Sequence, residues 1–382
     1  MVSDPKKAFN KDYLSKFFTS SLDKRRSGKG NFRHKFHDIL LVSLASALCG
    51  IEDYKHMVLF AEQEIDWFRE HGDFAHGAPS DETIRRLFVA LDPIGFEECF
   101  CSWASSLYVE TDGIDGEVVA VDGKTIRGAR DKNDPSSLSP HILTAWATDQ
   151  GLSLGQLKVK EKSNEITAIP ELLKKIHIKG STVTIDAMGC QQNIVSAIVA
   201  EKAHYIIAVK DNQKELALAI KDTHRLERPL EVHTHNEVGH GRVVTKTCSV
   251  YGELSHLAEI SKWKDLKRFV VVESETYHKA SKKTTKETRA YISDLLDSAE
   301  SFNQKIQRHW AIENELHWVL DVCFNEDASR KRVANTAQNM NLVMKMALSI
   351  LKRNKEKPRE SYKSQRLKAL LDRKYRDKLI KS

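Results

Sequence analysis

The sequence predicts an α/β protein: a mixed sheet with flanking helices and a β-rich insertion, preceded by a small all-helical domain. Apolar residues with helical spacing dominate the first 110 residues. Beyond residue 112, short β-branched runs come first and then alternate with helical segments, which is typical of a mixed sheet. We therefore predict a helical domain at 1–110, an α/β domain at 111–352 with an insertion at about 212–292, and a basic tail at 353–382.

Three segments predict the helical domain. Residues 34–49 combine helix formers with helically spaced apolar side chains, and Gly50 follows as a stop signal. Ser80 and its neighbours offer an N-cap for a helix over 82–91. A third helix is predicted over 96–107.

Apolar runs predict the strands of the sheet, at 118–121, 142–146, 152–159, 183–185 and 205–209. Helices are predicted between them at 169–176 and 193–203. The insertion contributes β-like stretches at 243–251, 269–273 and 289–292, and the Lys/Thr-rich run 279–288 is predicted to be a loop. Two helices over roughly 300–320 and 333–352 close the domain.

Charge is distributed unevenly along the chain, whose net charge is +7. Residues 1–35 carry +7 and residues 351–382 carry +9, which leaves −9 for the middle of the chain. Basic ends around an acidic centre indicate arms that attract a polyanion and a centre that concentrates carboxylates. The alternative is that Lys/Arg-rich termini only aid solubility.

Several classes of protein are disfavoured by composition. No window approaches 18 uninterrupted apolar residues, and no apolar segment follows the charged N-terminus, so neither a membrane span nor a secretory signal is expected. Six cysteines, none spaced C-x-x-C, are too few for a disulfide scaffold. We expect a cytoplasmic protein without a membrane partner, associated with the nucleoid when bound to DNA.

Two aspartates follow apolar runs, where the end of a strand places side chains at the edge of a sheet. Asp122 ends the run Val118–Val121, and Asp186 ends the run 183–185. Ligands gather at such edges in α/β folds. Asp-Gly is also an ordinary turn signal, so a purely structural role remains open.

A third carboxylate lies on a predicted helical stripe formed by Ile306, Trp310, Glu313, His317 and Leu320. A carboxylate in an apolar and aromatic stripe is costly unless it is paired, protonated or bound to a metal ion. The alternative is a helical pair of Glu313 with His309 or His317, each four residues away. Oxygen ligands from two Asp and one Glu suit Mg²⁺ or Mn²⁺, which catalyse in-line phosphodiester displacement in two-metal sites.

At these residues the sequence resembles the DDE transposases of bacterial insertion sequences, in the ISAs-type group that contains the H-repeat-associated proteins. The resemblance spans nearly the whole chain. Its matching segments are PSDETIRRLFVALDP (79–93), VAVDGKTIRG (119–128), KSNEITAIPELL (162–173), VTIDAMGCQ (183–191), AVKDNQ (208–213) and RHWAIENELHWVLDVCFNED (308–327).

This resemblance implies an RNase H-like catalytic domain, a β-rich insertion before the last catalytic helix, and a metal-binding triad of Asp122, Asp186 and Glu313. It also implies that the helical domain at 1–110 is a transposase-associated domain that binds DNA. Glu315, Glu326 and Asp327 are rival carboxylates, but Glu313 lies on the stripe and in the HWAIEN segment. The chain departs from the Tyr-Arg-Glu-Lys signature of many related transposases, because the Tyr, Arg and Lys positions hold Ile306, His309 and Leu320.

Six residues are candidate DNA contacts. Lys124 and Arg127 follow Asp122 and are predicted to hold phosphates, with plain surface charge as the alternative. Trp310 and Trp318 are predicted to stack on an unpaired base, with the alternative that both are core residues. Arg308 beside the triad helix and Arg242 in the turn His240-Gly241-Arg242 complete the set.

The leading hypothesis is a metal-dependent DNA transposase that cuts transposon ends and joins them to target DNA, with Mg²⁺ or Mn²⁺ as cofactor. Its partners would be double-stranded DNA, both terminal repeats and target, and a second copy of the chain, since two ends must be brought together. Two alternatives are an immobile DNA-binding relative acting as repressor or accessory factor, and a metal-dependent nuclease without strand joining.

Overall fold

A mixed β-sheet lies at the centre of the structure, a computed structural model that describes residues 11–25, 33–109, 116–130, 138–159, 165–239, 241–252, 258–357 and 359–381. Its strands are β1 Val118–Thr125, β2 His141–Ala147, β3 Leu152–Val159, β4 Thr182–Ile185, β5 His204–Val209, β6 Glu231–Gly239, β7 Arg242–Tyr251, β8 Arg268–His278 and β9 Lys283–Ser293. Within the described residues they pair in the order β3-β2-β1-β4-β5-β9-β8-β7-β6. β4 and β5 run parallel to β1, and the other neighbouring pairs are antiparallel. The predicted α/β class, a mixed sheet with flanking helices, is confirmed.

The insertion extends the central sheet. β9 pairs with β5, so the antiparallel strands β6 to β9 continue the sheet beyond its parallel centre. The prediction of a loop at 279–288 is wrong, because residues 283–288 belong to β9 and pair with β8. Their side chains are exposed, so no apolar alternation marks the strand, and main-chain pairing with β8 defines it. β6 was not predicted, because its side chains are also almost entirely exposed.

Helices precede, cover and follow the sheet. They are α1 Lys11–Phe17, α2 Phe36–Leu48, α3 Tyr54–Gln63, α4 Ile65–His71, α5 Asp81–Ala90, α6 Pro93–Val109, α7 Glu165–Lys175, α8 Gln192–Ala200, α9 Lys214–Leu226, α10 Ala299–His309, α11 Trp318–Cys323, α12 Thr336–Arg353, α13 Tyr362–Leu371 and α14 Arg373–Lys381. α10 packs on β1, β6 and β7, whereas α7 packs on β2 and β3. No helix in the described parts of the chain combines the length and apolarity needed to cross a bilayer.

The predicted helices of the N-terminal region are confirmed as α2, α5 and α6. Every residue of α2 except His37 is buried, because α2 packs against both α3 and α12. The predicted N-cap also forms, since the Ser80 hydroxyl accepts a hydrogen bond from the backbone N–H of Thr83 at 3.2 Å. One hydrophobic cluster runs from these helices through α12 into the sheet. The N-terminal helices are thereby joined to the α/β part by a continuous core.

The segment predicted as a basic tail is folded against the N-terminal helices. Arg366 of α13 is buried and donates to Glu52 at 2.8 Å. Arg376 of α14 is buried and donates to Glu64 at 2.5 Å. Two of the charges counted in the tail therefore stabilise helix packing and do not face solvent, so this segment is only partly an electrostatic arm.

A glycine in the VAVDGKTIRG segment allows two distant parts of the chain to approach. A Cβ at Gly128 would lie 2.7 Å from the carbonyl oxygen of Ser329 and closer still to that of Asp327. Backbone atoms cannot rotate away, so we expect Gly128→Ala to lower the free energy of unfolding by about 1–3 kcal/mol. Urea titration measures this loss. Gly239→Ala is the matched control: its Cβ would meet nothing within 4 Å, and a change within about 0.5 kcal/mol is expected.

Candidate active site

The three carboxylates of the predicted triad, which come from separate elements, line one cavity of about 250 Å³ together with Glu287. Asp122 lies in β1, Asp186 directly follows β4, and Glu313 lies on the helical segment after α10. β1 and β4 are parallel neighbours in which Val121 pairs with Ile185, so the two aspartates that follow come side by side. The predicted triad positions therefore share one site, although they are 191 residues apart at the extremes.

Backbone geometry positions Asp186. Its side chain accepts hydrogen bonds from the backbone N–H groups of Met188 at 3.0 Å and Gly189 at 3.4 Å. The turn that supplies these donors is held by Asn212, whose side-chain amide donates to the Ala187 carbonyl at 2.7 Å. Asn212 belongs to the AVKDNQ segment and follows β5, the strand next to β4. This motif therefore helps to hold the turn that positions Asp186.

Electrostatic repulsion is concentrated on Asp122. Burial, followed by the nearby charges of Asp186, Glu313 and Glu165, raises the pKa of this carboxyl to about 6, although the Gly123 N–H opposes the shift. A carboxyl that is difficult to ionise beside two other carboxylates is the situation that a bound cation relieves.

His317 contacts Asp122 from the helical segment, with Nδ1 3.4 Å from Oδ2. Burial, with the positive charges of Lys345 and Lys124 nearby, lowers the pKa of His317 to about 3, so its ring is neutral at physiological pH. Its Nε2 is buried without a hydrogen-bond partner among the described residues. The imidazole thus orients Asp122 as a neutral group and does not neutralise its charge.

A π-helical turn at Ile312–His317 carries Glu313 between α10 and α11. The backbone N–H of Trp318 donates to the carbonyl of Glu313, a bond across five residues. Such turns occur mostly as single insertions in α-helices and often at functional sites. The prediction of a uniformly inward stripe is wrong at its centre: Ile306 and Leu320 are buried, whereas Trp310 and Glu313 are exposed and line the cavity.

The alternative of a helical ion pair for Glu313 is also wrong. Within the described residues neither His309 nor His317 pairs with Glu313, because His309 contacts the Thr184 hydroxyl at 3.0 Å and His317 faces Asp122. Burial, more than the opposing effect of Asp186, lowers the pKa of His309.

The rival carboxylates lie outside the cavity. Glu315 pairs with Lys352, and buried Glu326 accepts from Lys124 and Asn341. Asp327 caps the N–H of Arg127 at 3.2 Å. Of the candidate carboxylates on and after this helix, Glu313 lines the cavity; Glu287 of β9 also lines it, but it is paired with Arg289 at 2.7 Å.

The predicted DNA contacts occupy different surroundings and stay predictions. Lys124 is held by Asp321 and Glu326, so its charge is already paired. Arg127 is exposed, and Arg308 pairs with Asp149 at 2.7 Å. Arg242 is exposed at the start of β7, in the turn that joins β6 to β7. Its neighbour His240 lies outside the described residues.

Both tryptophans are exposed, Trp310 by 36% and Trp318 by 57%, so the interpretation of them as core residues is wrong. Trp310 lines the cavity, and the Arg289 guanidinium lies over its ring at 4.6 Å. Arg289 and Lys210 also line the cavity, and sequence reasoning missed both. Lys210 had a signal, since it lies in the AVKDNQ segment; Arg289 had none, because only the pairing of β9 with β5 brings it to the site.

The donor set suits a divalent cation that prefers oxygen. Two aspartates and a glutamate are the ligands that Mg²⁺ and Mn²⁺ take in proteins. Across the described residues no three His, Cys, Asp or Glu side chains already stand in a metal-binding arrangement. Asp122, Asp186 and Glu313 line the same cavity without forming such an arrangement. A mixed sheet and the helical segment after α10 bring two aspartates and a glutamate to one cavity, which is the arrangement that the predicted triad requires.

Comparison with known proteins gives the family. The family model described as "Transposase DDE domain" matches residues 113–350, and one described as "DDE_Tnp_1-associated" matches residues 16–104. "Putative transposase YncI" of Escherichia coli O157:H7 is 38% identical over 334 residues, covering 85% of this chain and 84% of that protein. "H repeat-associated putative transposase YhhI" of Escherichia coli strain K12 is 36% identical over 351 residues, covering 90% and 91%. The chain belongs to the DDE transposases, in the H-repeat-associated family.

Among solved structures, the chain is similar to piggyBac transposase in a synaptic complex with hairpin DNA. The TM-score is 0.41 at 13% identity, with 97% of this chain and 77% of that chain covered.

Proposed function

We propose that this transposase cuts the DNA ends of its insertion sequence and joins the freed 3′-hydroxyl to target DNA, with Mg²⁺ or Mn²⁺ held by Asp122, Asp186 and Glu313. One observation supports the proposal: the three carboxylates of the triad, from separate elements, line one cavity, where burial and then the charges of Asp186 and Glu313 raise the pKa of Asp122. We also propose that the active form on DNA is a dimer of the chain, since one joining event requires two ends.

The side chains around the cavity have separable roles in this reaction. When bound, divalent cations supply the Lewis acidity that activates a water or 3′-hydroxyl and stabilises the departing oxygen. Asp186 is held by two backbone N–H groups, and neutral His317 orients Asp122, so both ligands are preorganised. Glu313 completes the set from the π-turn.

Phosphate recognition falls to the cations on the rim. Lys210 and Arg289 line the cavity on the side of β5 and β9; Arg289 is paired with Glu287 at 2.7 Å, so Lys210 is the main cation available to a phosphodiester there. Trp310, held under Arg289, presents its exposed ring beside the same opening, in keeping with a base contact.

The test uses the purified full chain with a duplex that carries the terminal repeats flanking its own gene, a supercoiled target plasmid, and Mg²⁺ or Mn²⁺. We expect metal-dependent nicks at the repeat ends and joined products in the plasmid. Cut ends without joined product would favour a nuclease without strand transfer. Tight binding with no cleavage under either metal would contradict the enzymatic proposal and favour the repressor or accessory factor.

A further inference from the structure

A second, larger cavity of about 550 Å³ lies in the N-terminal helical region, away from the three carboxylates. It is formed between residues 24–25 and 33–34 on one side and α5 on the other. Its lining, which we term the basic groove, consists of Lys24, Arg25, Arg33, His34, Thr83, Arg85, Arg86, Val89 and Ala90. The proposed reaction assigns no role to it.

Positive charge is in excess in the basic groove. Arg25 is paired with Asp23, and Arg85 and Arg86 share the single carboxylate of Glu82. These pairs leave the other two groove cations without a partner: among the described residues no carboxylate pairs with Lys24 or Arg33, and both side chains are exposed. Five cations thus face two carboxylates, an excess of three positive charges.

The field of these cations is visible at His34. After burial, the charge of Arg33 is the largest influence that lowers the pKa of the His34 imidazole, and Arg25 acts in the same direction. Asp38 opposes them from α2. Positive charge that disfavours protonation of a histidine in a cavity also favours the binding of an anion there.

The chemistry of the lining favours a phosphate backbone over bases. The guanidinium groups of Arg25 and Arg85 already hold carboxylates in two-point contacts, so they are not available for two-point reading of a guanine edge. The lining contains no Asn, Gln, Phe, Tyr or Trp to read or stack on a base. What remains are the flexible cations Lys24 and Arg33 and the Thr83 hydroxyl, which are groups that bind phosphate oxygens.

We propose that the basic groove binds the sugar–phosphate backbone of duplex DNA, independently of sequence, at a place separate from the catalytic cavity. This inference rests on the proposed function only in taking DNA as the partner. The N-terminal helical region would then contribute to DNA affinity, whereas other contacts would select the DNA sequence.

The experiment measures binding without cleavage, in the full chain carrying Asp122→Asn. Fluorescence anisotropy with a terminal-repeat duplex and an unrelated duplex of equal length is recorded over a salt series. Adding Lys24→Gln with Arg33→Gln should reduce the magnitude of the negative slope of log K against log salt by about 2, since each lost phosphate contact contributes about 0.9. Affinity near 0.1 M salt should fall about 10- to 100-fold for both duplexes alike.

The matched control removes the same two charges elsewhere, with Lys179→Gln and Arg228→Gln. Both side chains are exposed, and among the described residues neither has an ion-pair partner. The control should keep the slope and affinity of the Asp122→Asn parent. An equal loss in the control, an unchanged slope in the groove variant, a loss confined to the terminal repeat, or a parent that does not bind DNA would each overturn the proposal.

Failure of the groove and failure of the proposed function give different results. If the groove variant binds like its parent while the wild-type chain cuts and joins DNA, only the groove assignment is wrong. If the wild-type chain neither cuts nor joins but binding still depends on Lys24 and Arg33, the groove assignment stands and the enzymatic proposal does not. Equal melting temperatures of parent and variants would exclude misfolding as the cause of a loss.

Discussion

Glu313→Gln is expected to lower metal-dependent cleavage of transposon-end DNA by about 1,000-fold or more. The substitution keeps the size of the side chain but removes the charge that would help hold the cation. Removing one group that stabilises charge in other enzymes already costs about 10²–10³-fold in rate. Single-turnover cleavage with Mn²⁺ measures the effect, and Asp122→Asn and Asp186→Asn should show losses of the same order.

Glu315→Gln is the matched control for Glu313→Gln. Both glutamates lie on the π-helical turn, but Glu315 pairs with Lys352 and does not line the cavity. Its replacement should change the cleavage rate by only a few fold. The opposite result, with Glu313→Gln active and Glu315→Gln inactive, would assign the third carboxylate to Glu315.

The positions of Asp122 and Asp186 were predictable because local sequence carries the signal. Each follows a short apolar run, and strands of that kind pair at the centre of a sheet where both faces are covered. Once β1 and β4 are parallel neighbours, the residues that follow Val121 and Ile185 must lie side by side. The pairing of β1 with β4 is the one long-range contact that this argument needs.

The setting of Glu313 was only partly predictable. Helical periodicity located the segment, but it assumed an unbroken α-helix, and the π-turn changes which residues share a face. One extra residue in a turn leaves no mark in composition. The stripe correctly predicted that Trp310 and Glu313 lie near the sheet. It also predicted that both are buried, whereas both are exposed.

Other contributors to the site depend on contacts that sequence spacing does not encode. Arg289 reaches the cavity because the following residues of β9 pair with β5, and the sequence around Arg289 does not show which strand β9 will join. Likewise, Arg366 and Arg376 contribute to the basic balance of the C-terminal segment, yet burial against Glu52 and Glu64 decides what they do. Charge counts describe the chain, whereas pairing decides which charges are available.

A buried lysine beneath the sheet should give the fold a distinctive dependence on pH. Lys345 of α12 is buried, and its Nζ donates to Thr144 at 2.7 Å and Gln156 at 2.6 Å. No carboxylate within the described residues forms an ion pair with it. Burial lowers the pKa of Lys345 from 10.5 to about 7, because a charged ammonium is poorly solvated there.

The sign follows from proton linkage. The unfolded chain keeps its proton up to about pH 10.5, whereas the folded chain releases it near pH 7, so between these values the unfolded state binds more protons. Stability therefore rises with pH through this window. For a lowered pKa of this size, the contribution of Lys345 to the free energy of unfolding should increase by about 2 kcal/mol from pH 7 to pH 9.

Lys345→Met isolates this contribution because methionine fills similar space and does not titrate. Other groups act in the opposite direction: burial raises the pKa of Glu97 and Glu117 to about 7, so their effect is to lower stability as pH rises from 4.5 towards 7. The difference between wild type and variant cancels them. Urea titrations at pH 7 and pH 9 should show the wild type gaining about 2 kcal/mol more than Lys345→Met. Lys179→Met, at an exposed site, should show the same gain between pH 7 and pH 9 as the wild type. An equal gain in Lys345→Met would mean that Lys345 keeps its charge in the folded protein.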